Sequence, residues 1–298
     1  MIKTKNDEEK AKSTCLIGLA IGDALGEPFE GYPASQIEKI WKNNGFFKNP
    51  EITDDTILSI LVAESIIEQK DVIRKEIAKK MILNEAKLRR IGPTTSNAIR
   101  MLKKDINFYS VQGTTNGAAM RASPVGLFCC NKIIEKTAEA SQVTHGTDVA
   151  ISGACCISLT IDAAIKNLDK DDCINICIKG AREGRKFGTQ TDFPKIDELI
   201  EVALNTPARK LPETIGVGIQ THESVPCAIS IFYNTKNFKE AVISAVRLGG
   251  DTDTIASMVG AISGAFYKEV PDEWRFAIGE REYLEYLERE LLELKKVL

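Results

Sequence analysis

Leu248-Gly249-Gly250-Asp251-Thr252-Asp253-Thr254 runs directly into the apolar segment Ile255 to Phe266. Two carboxylates and two hydroxyls occupy four consecutive positions, between a Gly-Gly pair and what reads as a buried helix. Ala256, Ser257, Gly260, Ala261, Ser263, Gly264 and Ala265 punctuate that helix with small side chains, so a neighbouring backbone can approach closely. A helix start needs one capping oxygen, and this one carries four. The design recurs far away as Thr53-Asp54-Asp55-Thr56, followed by Ile57-Leu58-Ser59-Ile60-Leu61-Val62-Ala63. Taken singly, Thr and Asp are ordinary caps, and acids are welcome in a first helical turn. Two such overloaded starts in one chain point to a site that joins them in space.

Around these stretches apolar residues recur at three- and four-residue spacing, and period-two alternation is scarce. The spacing predicts helices such as Lys12–Leu25, Thr56–Gln69, Gly117–Leu127, Thr147–Asn167, Val225–Tyr233, Thr254–Tyr267 and Asp272 to the C-terminus. Connections are short and carry Gly, Pro, Asn and Thr, and no linker or shift in composition divides the chain. With 298 residues, 43% of them hydrophobic, there is enough apolar material for a large core. The expectation is a compact all-α single domain over residues 1–298, with residues 1–11 a flexible charged tail.

Lys and Arg number 39 against 42 Asp and Glu, a net charge of −3 spread throughout, which excludes the basic stripe of a general nucleic-acid binder. The apolar run after the charged N-terminus is interrupted by Gly22 and Asp23, too short to span a membrane and without a secretory cleavage pattern. A soluble, cytoplasmic protein is expected. The eight cysteines include the vicinal pairs Cys129-Cys130 and Cys155-Cys156 but no Cys-x-x-Cys unit, and most sit in apolar helical patterns. They read as small core hydrophobes rather than disulfides or metal ligands. At the C-terminus Leu284, Leu287, Leu291, Leu294 and Leu298 are too few for a coiled coil, and packing against the chain's own core, in a monomer, is expected.

Several joints carry polar groups in Gly-rich surroundings. Asp23, amid small apolar residues, reads as a buried hydrogen-bonding acid. Glu30 lies on a loop with Gly26 and Gly31 as possible hinges, which suits a lid. Arg90-Ile91-Gly92-Pro93-Thr94-Thr95 reads as a turn and helix start whose hydroxyls can face a site. Gln112-Gly113-Thr114-Thr115-Asn116-Gly117-Ala118-Ala119-Met120-Arg121 opens a small-residue helix from a Gly-rich loop, a place where free backbone N–H groups meet an anion, although it lacks the Lys-Ser/Thr ending of a Walker loop. The chain has two histidines: His145, in Thr144-His145-Gly146-Thr147-Asp148, and His222, which reads as part of a helix start.

Gathering Asp54, Asp55, Asp251 and Asp253 costs mutual repulsion, raises some of their pKa values, and would repel a phosphate at the helix N-termini. One or two divalent cations remove both difficulties. An all-oxygen ligand set without cysteine or clustered histidine suits a hard cation, Mg²⁺ or Mn²⁺, better than zinc. Two motifs suggest two ions.

Gly22-Asp23-Ala24-Leu25-Gly26, Thr53-Asp54-Asp55-Thr56, Asn116-Gly117-Ala118-Ala119-Met120-Arg121, Thr144-His145 and Gly249-Gly250-Asp251-Thr252-Asp253-Thr254 occur in the order seen in the ADP-ribosylglycohydrolase family. The chain resembles that family from about Leu16 to about Pro271. The resemblance implies a compact orthogonal multi-helix bundle, a binuclear magnesium or manganese centre, and hydrolysis of the N- or O-glycosidic bond at the distal ribose of an ADP-ribosyl group. By the same resemblance, Thr53, Asp54, Asp55, Asp251, Asp253 and Thr254 match metal ligands, with Asp253 the bridge. Gly113, Thr114, Thr115, Asn116 and Gly117, with Ala118 and Met120, match a loop that cradles a diphosphate. His145 matches a substrate-contacting histidine and Glu30 an acid on a mobile loop, with Asp55 or Glu30 handling protons. The implied partner is an ADP-ribosylated protein or small molecule, the leaving group lying at the exposed mouth where loops vary. Two rival readings are a catalytically silent ADP-ribose binder on this scaffold and a metal-dependent hydrolase of another nucleotide or phosphorylated sugar.

Overall fold

The architecture follows from one close crossing of two glycine-bearing helices. The structure, a computed structural model, describes residues 13–43, 50–88, 90–129 and 131–297. Among these the chain forms sixteen α-helices and no β-strand. They are α1 (Cys15–Gly26), α2 (Ala34–Asn43), α3 (Asp54–Gln69), α4 (Arg74–Leu83), α5 (Pro93–Lys104), α6 (Ser123–Phe128), α7 (Ile133–Ser141) and α8 (Asp148–Ile165). The second half comprises α9 (Lys170–Gly184), α10 (Ile196–Leu204), α11 (Leu211–Thr214), α12 (Thr221–Asn234), α13 (Phe238–Val246), α14 (Thr252–Tyr267), α15 (Asp272–Ala277) and α16 (Arg281–Val297). The all-α fold predicted from periodicity is therefore present; residues 1–11, read above as a tail, lie outside the described residues.

Helices α1 and α14 run antiparallel at the centre of the core. Gly18, Gly22 and Gly26 recur every fourth residue on α1 and meet Gly260, Ala256 and Thr252 of α14 backbone to backbone. At the far end of the same seam the Thr14 hydroxyl donates to the Gly264 carbonyl at 3.0 Å. Residues four apart lie on one helix face, so this repeat makes a groove that admits a second helix, as the small residues of α14 foretold. The crossing sets the C-terminal end of α1, with Asp23, beside the first turn of α14, with Asp251 and Asp253. The other end of α1 is capped from afar. Buried Glu288 of α16 accepts from the Cys15 and Leu16 N–H groups at 2.9 and 3.0 Å, satisfying two orphan donors of the first turn.

Helix α8 is the one described helix long and apolar enough to cross a membrane, and 94% of it is buried within the fold, as befits a core helix. The seven described free cysteines are buried, and burial pushes the thiols of Cys15 and Cys156 well above their ordinary values, consistent with a hydrophobic role; Cys130 lies outside the described residues. Leu284, Leu287 and Leu291 of α16 are buried in the chain's own core.

Three predicted helices are drawn differently. Gly117–Leu127 divides into a 3₁₀ turn, Asn116–Ala118, and α6, because Pro124 lacks the N–H that a continuous helix would need and starts a new one instead. The C-terminal helix breaks into α15 and α16 around Gly279. Helix α12 starts one turn earlier than Val225, since the Thr221 N–H and hydroxyl both donate to the Thr114 carbonyl, at 3.1 and 2.8 Å, and hold its first residue in place.

Candidate metal centre and active site

The two acidic helix starts meet. Asp55, in the first turn of α3, accepts from the Ser257 hydroxyl on Oδ1 at 2.8 Å and from the Thr254 hydroxyl on Oδ2 at 3.3 Å, both donors belonging to α14. Asp23 supports this junction from α1. Its Oδ2 accepts from the Thr53 N–H at 2.9 Å, the Thr56 N–H at 3.2 Å and the Thr56 hydroxyl at 2.5 Å, the buried hydrogen-bonding role its surroundings predicted. Thr53 caps α3 through its hydroxyl oxygen, which accepts from the Asp55 N–H at 3.2 Å.

The Gly-Gly pair before Asp251 is a conformational requirement. Gly249 and Gly250 have φ of +79° and +72°, where a side chain is strained, and the turn they make threads between two other loops. Gly31 N–H donates to the Gly250 carbonyl at 2.8 Å, Gly250 N–H to the Tyr32 carbonyl at 3.0 Å, and Asp251 N–H to the Val217 carbonyl at 2.8 Å. The Glu30 turn is thereby stapled beside the Asp251 turn. One carboxylate oxygen from each of Glu30, Asp251 and Asp253 lies within 4.8 Å of the others. Gly31 keeps a positive φ in open space, whereas Gly26, offered above as a hinge, is the last residue of α1, and its conformation is helical; it is small because Thr252 and Asp253 press on it.

Asp54, Asp55, Asp251, Asp253, Thr254 and Glu30 line one cavity of about 120 Å³, together with Thr115, Asn116, Gly117, Met120 and His145. Asn116 donates through its amide to Asp251 Oδ2 at 2.5 Å and to the Ser224 hydroxyl at 3.1 Å, so the loop and the acidic turn are positioned together. Gly113, Thr114 and Ala118, expected as ligand contacts, do not line the cavity. The Thr114 hydroxyl is taken by Gln220 at 2.9 Å, the Gly113 carbonyl accepts from Thr147 at 2.6 Å, and Ala118 is core. These three hold the loop rather than face a ligand. Thr53 is likewise absent from the cavity wall.

The turn and helix start whose hydroxyls could face a site completes the wall through Arg90, Gly92, Pro93, Thr94 and Thr95 at the start of α5, joined by Ile219 before α12. Arg90 ion-pairs with Glu27 at 2.6 Å and with Glu30 at 3.3 Å. The Thr-Thr pair at 94–95 was a visible signal. Ile219 had none, because it reaches the site through contacts distant in sequence: its carbonyl accepts from the Asn116 N–H at 3.0 Å and its neighbour Gln220 pairs with Thr115. His222 packs against Phe193, ring centroids 4.8 Å apart and planes tilted by 36°, outside the cavity wall, in keeping with a structural role.

The electrostatics ask for a cation. Burial raises the Asp54 carboxyl to about 7, with further push from Asp23 and Asp251. Burial, then Asp251 and Glu30, raises Asp253 to about 9. Asp55 is driven well above its ordinary value by burial and then by Asp253 and the other acids. Asp251 is raised less, because the Asn116 amide opposes its burial. Such a set is poorly accommodated as bare carboxylates, and hard divalent charge resolves the repulsion. The donors are all oxygen, carboxylate and hydroxyl, the set that Mg²⁺ and Mn²⁺ take, so the residues fit the group.

The chain belongs to the ADP-ribosylglycohydrolase family, whose pattern it matches over residues 4–297. Among individual proteins, the chain is 32% identical to an Archaeoglobus fulgidus protein, over 96% of this chain and 97% of the other. It is 26% identical to the ADP-ribosylhydrolase ARH3 of Gallus gallus, covering 87% and 86% of the two chains. It is 24% identical to the ADP-ribosylarginine hydrolase Tri1 of Pseudomonas putida, covering 96% and 78%. A solved ADP-ribosylglycohydrolase-related protein shares the fold with a TM-score of 0.76 at 22% identity, over 97% of this chain and 99% of that one.

Proposed function

We propose that this chain is a divalent-metal-dependent hydrolase that cleaves the glycosidic bond of an ADP-ribosyl group and releases ADP-ribose. The observation that carries this is the junction of Asp54-Asp55 with Asp251-Thr252-Asp253-Thr254 at the floor of one cavity walled by the Thr115–Gly117 loop. Asp54, Asp55, Asp251, Asp253 and Thr254, with Glu30, are the groups on the cavity wall to hold two Mg²⁺ or Mn²⁺, with Thr53 at the start of α3 behind them and Asp253 assigned as the bridge by the family resemblance. When bound, the cations supply Lewis-acid stabilisation and a rigid template for ribose hydroxyls.

The protein groups then divide by position. Cleavage passes through an oxocarbenium-like state, and the ring of carboxylates at the cavity floor stabilises that positive charge. Asp55 is fully buried, with both oxygens held by hydroxyls, which suits a fixed ligand. Glu30 stands half-exposed at the mouth, hydrogen-bonded to Arg90 through one oxygen, which suits proton transfer to or from the leaving group. The Thr115–Gly117 loop, whose Asn116 N–H is held by the Ile219 carbonyl at 3.0 Å, walls the side of the cavity assigned to the diphosphate.

The experiment is to incubate the protein with defined arginine- and serine-ADP-ribosylated peptides in Mg²⁺ or Mn²⁺ and follow both free ADP-ribose and free phosphate. ADP-ribose from one linkage is expected. Phosphate release without ADP-ribose would transfer the protein to the hydrolases of other nucleotides, and tight ADP-ribose binding without turnover would make it a binder.

A further inference from the structure

Arg121 is fully buried behind the cavity and heads a chain of hydrogen bonds whose direction it fixes. A guanidinium has donors only, and one of its NH₂ groups donates to Thr144 Oγ1 at 2.7 Å. Thr144 is itself wholly buried, and the other polar neighbour of its hydroxyl is His145 Nδ1 at 2.6 Å. A buried hydroxyl proton must find an acceptor, so it goes to Nδ1, and the ring proton of a neutral imidazole then sits on Nε2. Nε2–H lies 2.8 Å from Thr115 Oγ1 and donates to it. The Thr115 hydroxyl, having accepted, keeps its own proton with no acceptor among the described residues, and Thr115 lines the cavity.

The imidazole is closely enclosed by two glycines. A Cβ added at Gly117 would stand 2.7 Å from its Cε1 and one at Gly113 3.0 Å from its Cδ2, so these two glycines are shaped to the ring. Burial, aided by the nearby Arg121 charge, holds His145 well below its ordinary pKa, so it is neutral at pH 7 and one ring nitrogen is free to accept.

We propose that Arg121, Thr144 and His145 form a one-way hydrogen-bond relay that leaves the Thr115 hydroxyl proton free to donate into the cavity, favouring a ligand that places an acceptor oxygen there. A nucleoside diphosphate supplies such oxygens, and one placed there takes up the proton that the relay leaves on Thr115 Oγ1. Arg121, Thr144 and His145 are positioning residues, and Thr115 makes the contact. The ligand class rests on the function proposed above; the polarity of the relay does not.

The chain has only two histidines, so ¹⁵N-histidine labelling gives a spectrum in which each ring is separately assigned with a His222→Gln control. At pH 7 the free protein is expected to show His145 as the Nε2–H tautomer, and Thr144→Val is expected to shift its Nδ1 resonance by removing the donor. A Nδ1–H tautomer or an imidazolium would overturn the relay. In calorimetric titration with ADP-ribose, Thr115→Val is expected to weaken binding at least about tenfold, the usual loss for a hydrogen bond to a charged oxygen. Thr115→Ser, which restores the hydroxyl, is expected to bind within about threefold of wild type by the same reasoning. Equal affinity of Thr115→Val and wild type would overturn the proposal. A wild type with the expected tautomer that binds no ADP-ribose would overturn the ligand class together with the functional reading, while the relay itself would stand.

Discussion

Replacing Gly22 by alanine tests whether the α1–α14 crossing builds the site. A Cβ at Gly22 would stand 1.9 Å from the Ala256 carbonyl oxygen, 2.4 Å from its carbon and 2.9 Å from the Ser257 nitrogen, all backbone atoms that cannot rotate aside. Ordinary carbon contacts need about 3.5 Å or more, so the helices must part by more than 1 Å along a seam that also carries Gly18 and Gly26. Overpacking of this kind costs about 1–3 kcal/mol, and backbone on both sides argues for the upper end, near 3 kcal/mol. At about 2–4 °C per kcal/mol for a chain of this size class, Tm should fall by roughly 6–12 °C. Gly279, where an added Cβ meets nothing, is the control, and Gly279→Ala should leave Tm unchanged. Scanning calorimetry with chelator and with Mg²⁺ measures both the fold and the site. Because Asp23 adjoins Gly22 and Thr252 and Asp253 press on Gly26, the Mg²⁺-induced rise in Tm should shrink as well. A Gly22→Ala protein with wild-type Tm and wild-type response to Mg²⁺ would refute the reasoning.

Three further outcomes follow from the acidic groups. Asp54 and Asp253 are held near 7 and 9, above the unfolded value of about 4, so the folded state keeps protons that the unfolded chain loses. Without metal, their contribution to stability is therefore lost as pH rises from about 4 through 7 to 9, and the Tm gained with Mg²⁺ should be larger at pH 8 than at pH 5.5; a gain that shrinks with pH would contradict this. Asp253→Asn should abolish both the Mg²⁺-induced rise in Tm and ADP-ribose release, whereas for wild type a cation at a hundred times its Kd should add about 2.7 kcal/mol. Chelator-resistant activity in that variant would refute its role. Glu288→Ala should cost about 2 kcal/mol in urea unfolding, since the Leu16 N–H loses its acceptor inside the fold, and a change under about 0.5 kcal/mol would show that the distant cap is idle.

The legible parts of the sequence were those whose chemistry exceeds local need. Asp54-Asp55 and Asp251-Thr252-Asp253 hold more acid than any cap uses, and the small residues of α14 announced a close partner without saying that Gly18, Gly22 and Gly26 would supply it. What stayed hidden depends on contacts across the chain. Glu288 looks like any other charge among the Glu, Arg and Lys of α16, yet it is buried because α16 delivers it to the start of α1. Arg121 sat in a quoted motif, but its use emerges only when the end of α7 and the turn at Thr144 meet its guanidinium. Thr114 and Gly113 share a loop with Thr115, and only the pairing of that loop with Gln220 decides which of them face the cavity.

The central claim is that Asp54-Asp55 and Asp251-Asp253 are two halves of one metal centre. Anomalous diffraction at the manganese edge from crystals soaked in Mn²⁺ tests it most directly. Peaks bounded by Asp54, Asp55, Asp251 and Asp253 beside Glu30 are expected, and they should vanish in Asp253→Asn. Peaks confined to surface carboxylates, with the cavity floor empty, would contradict the account.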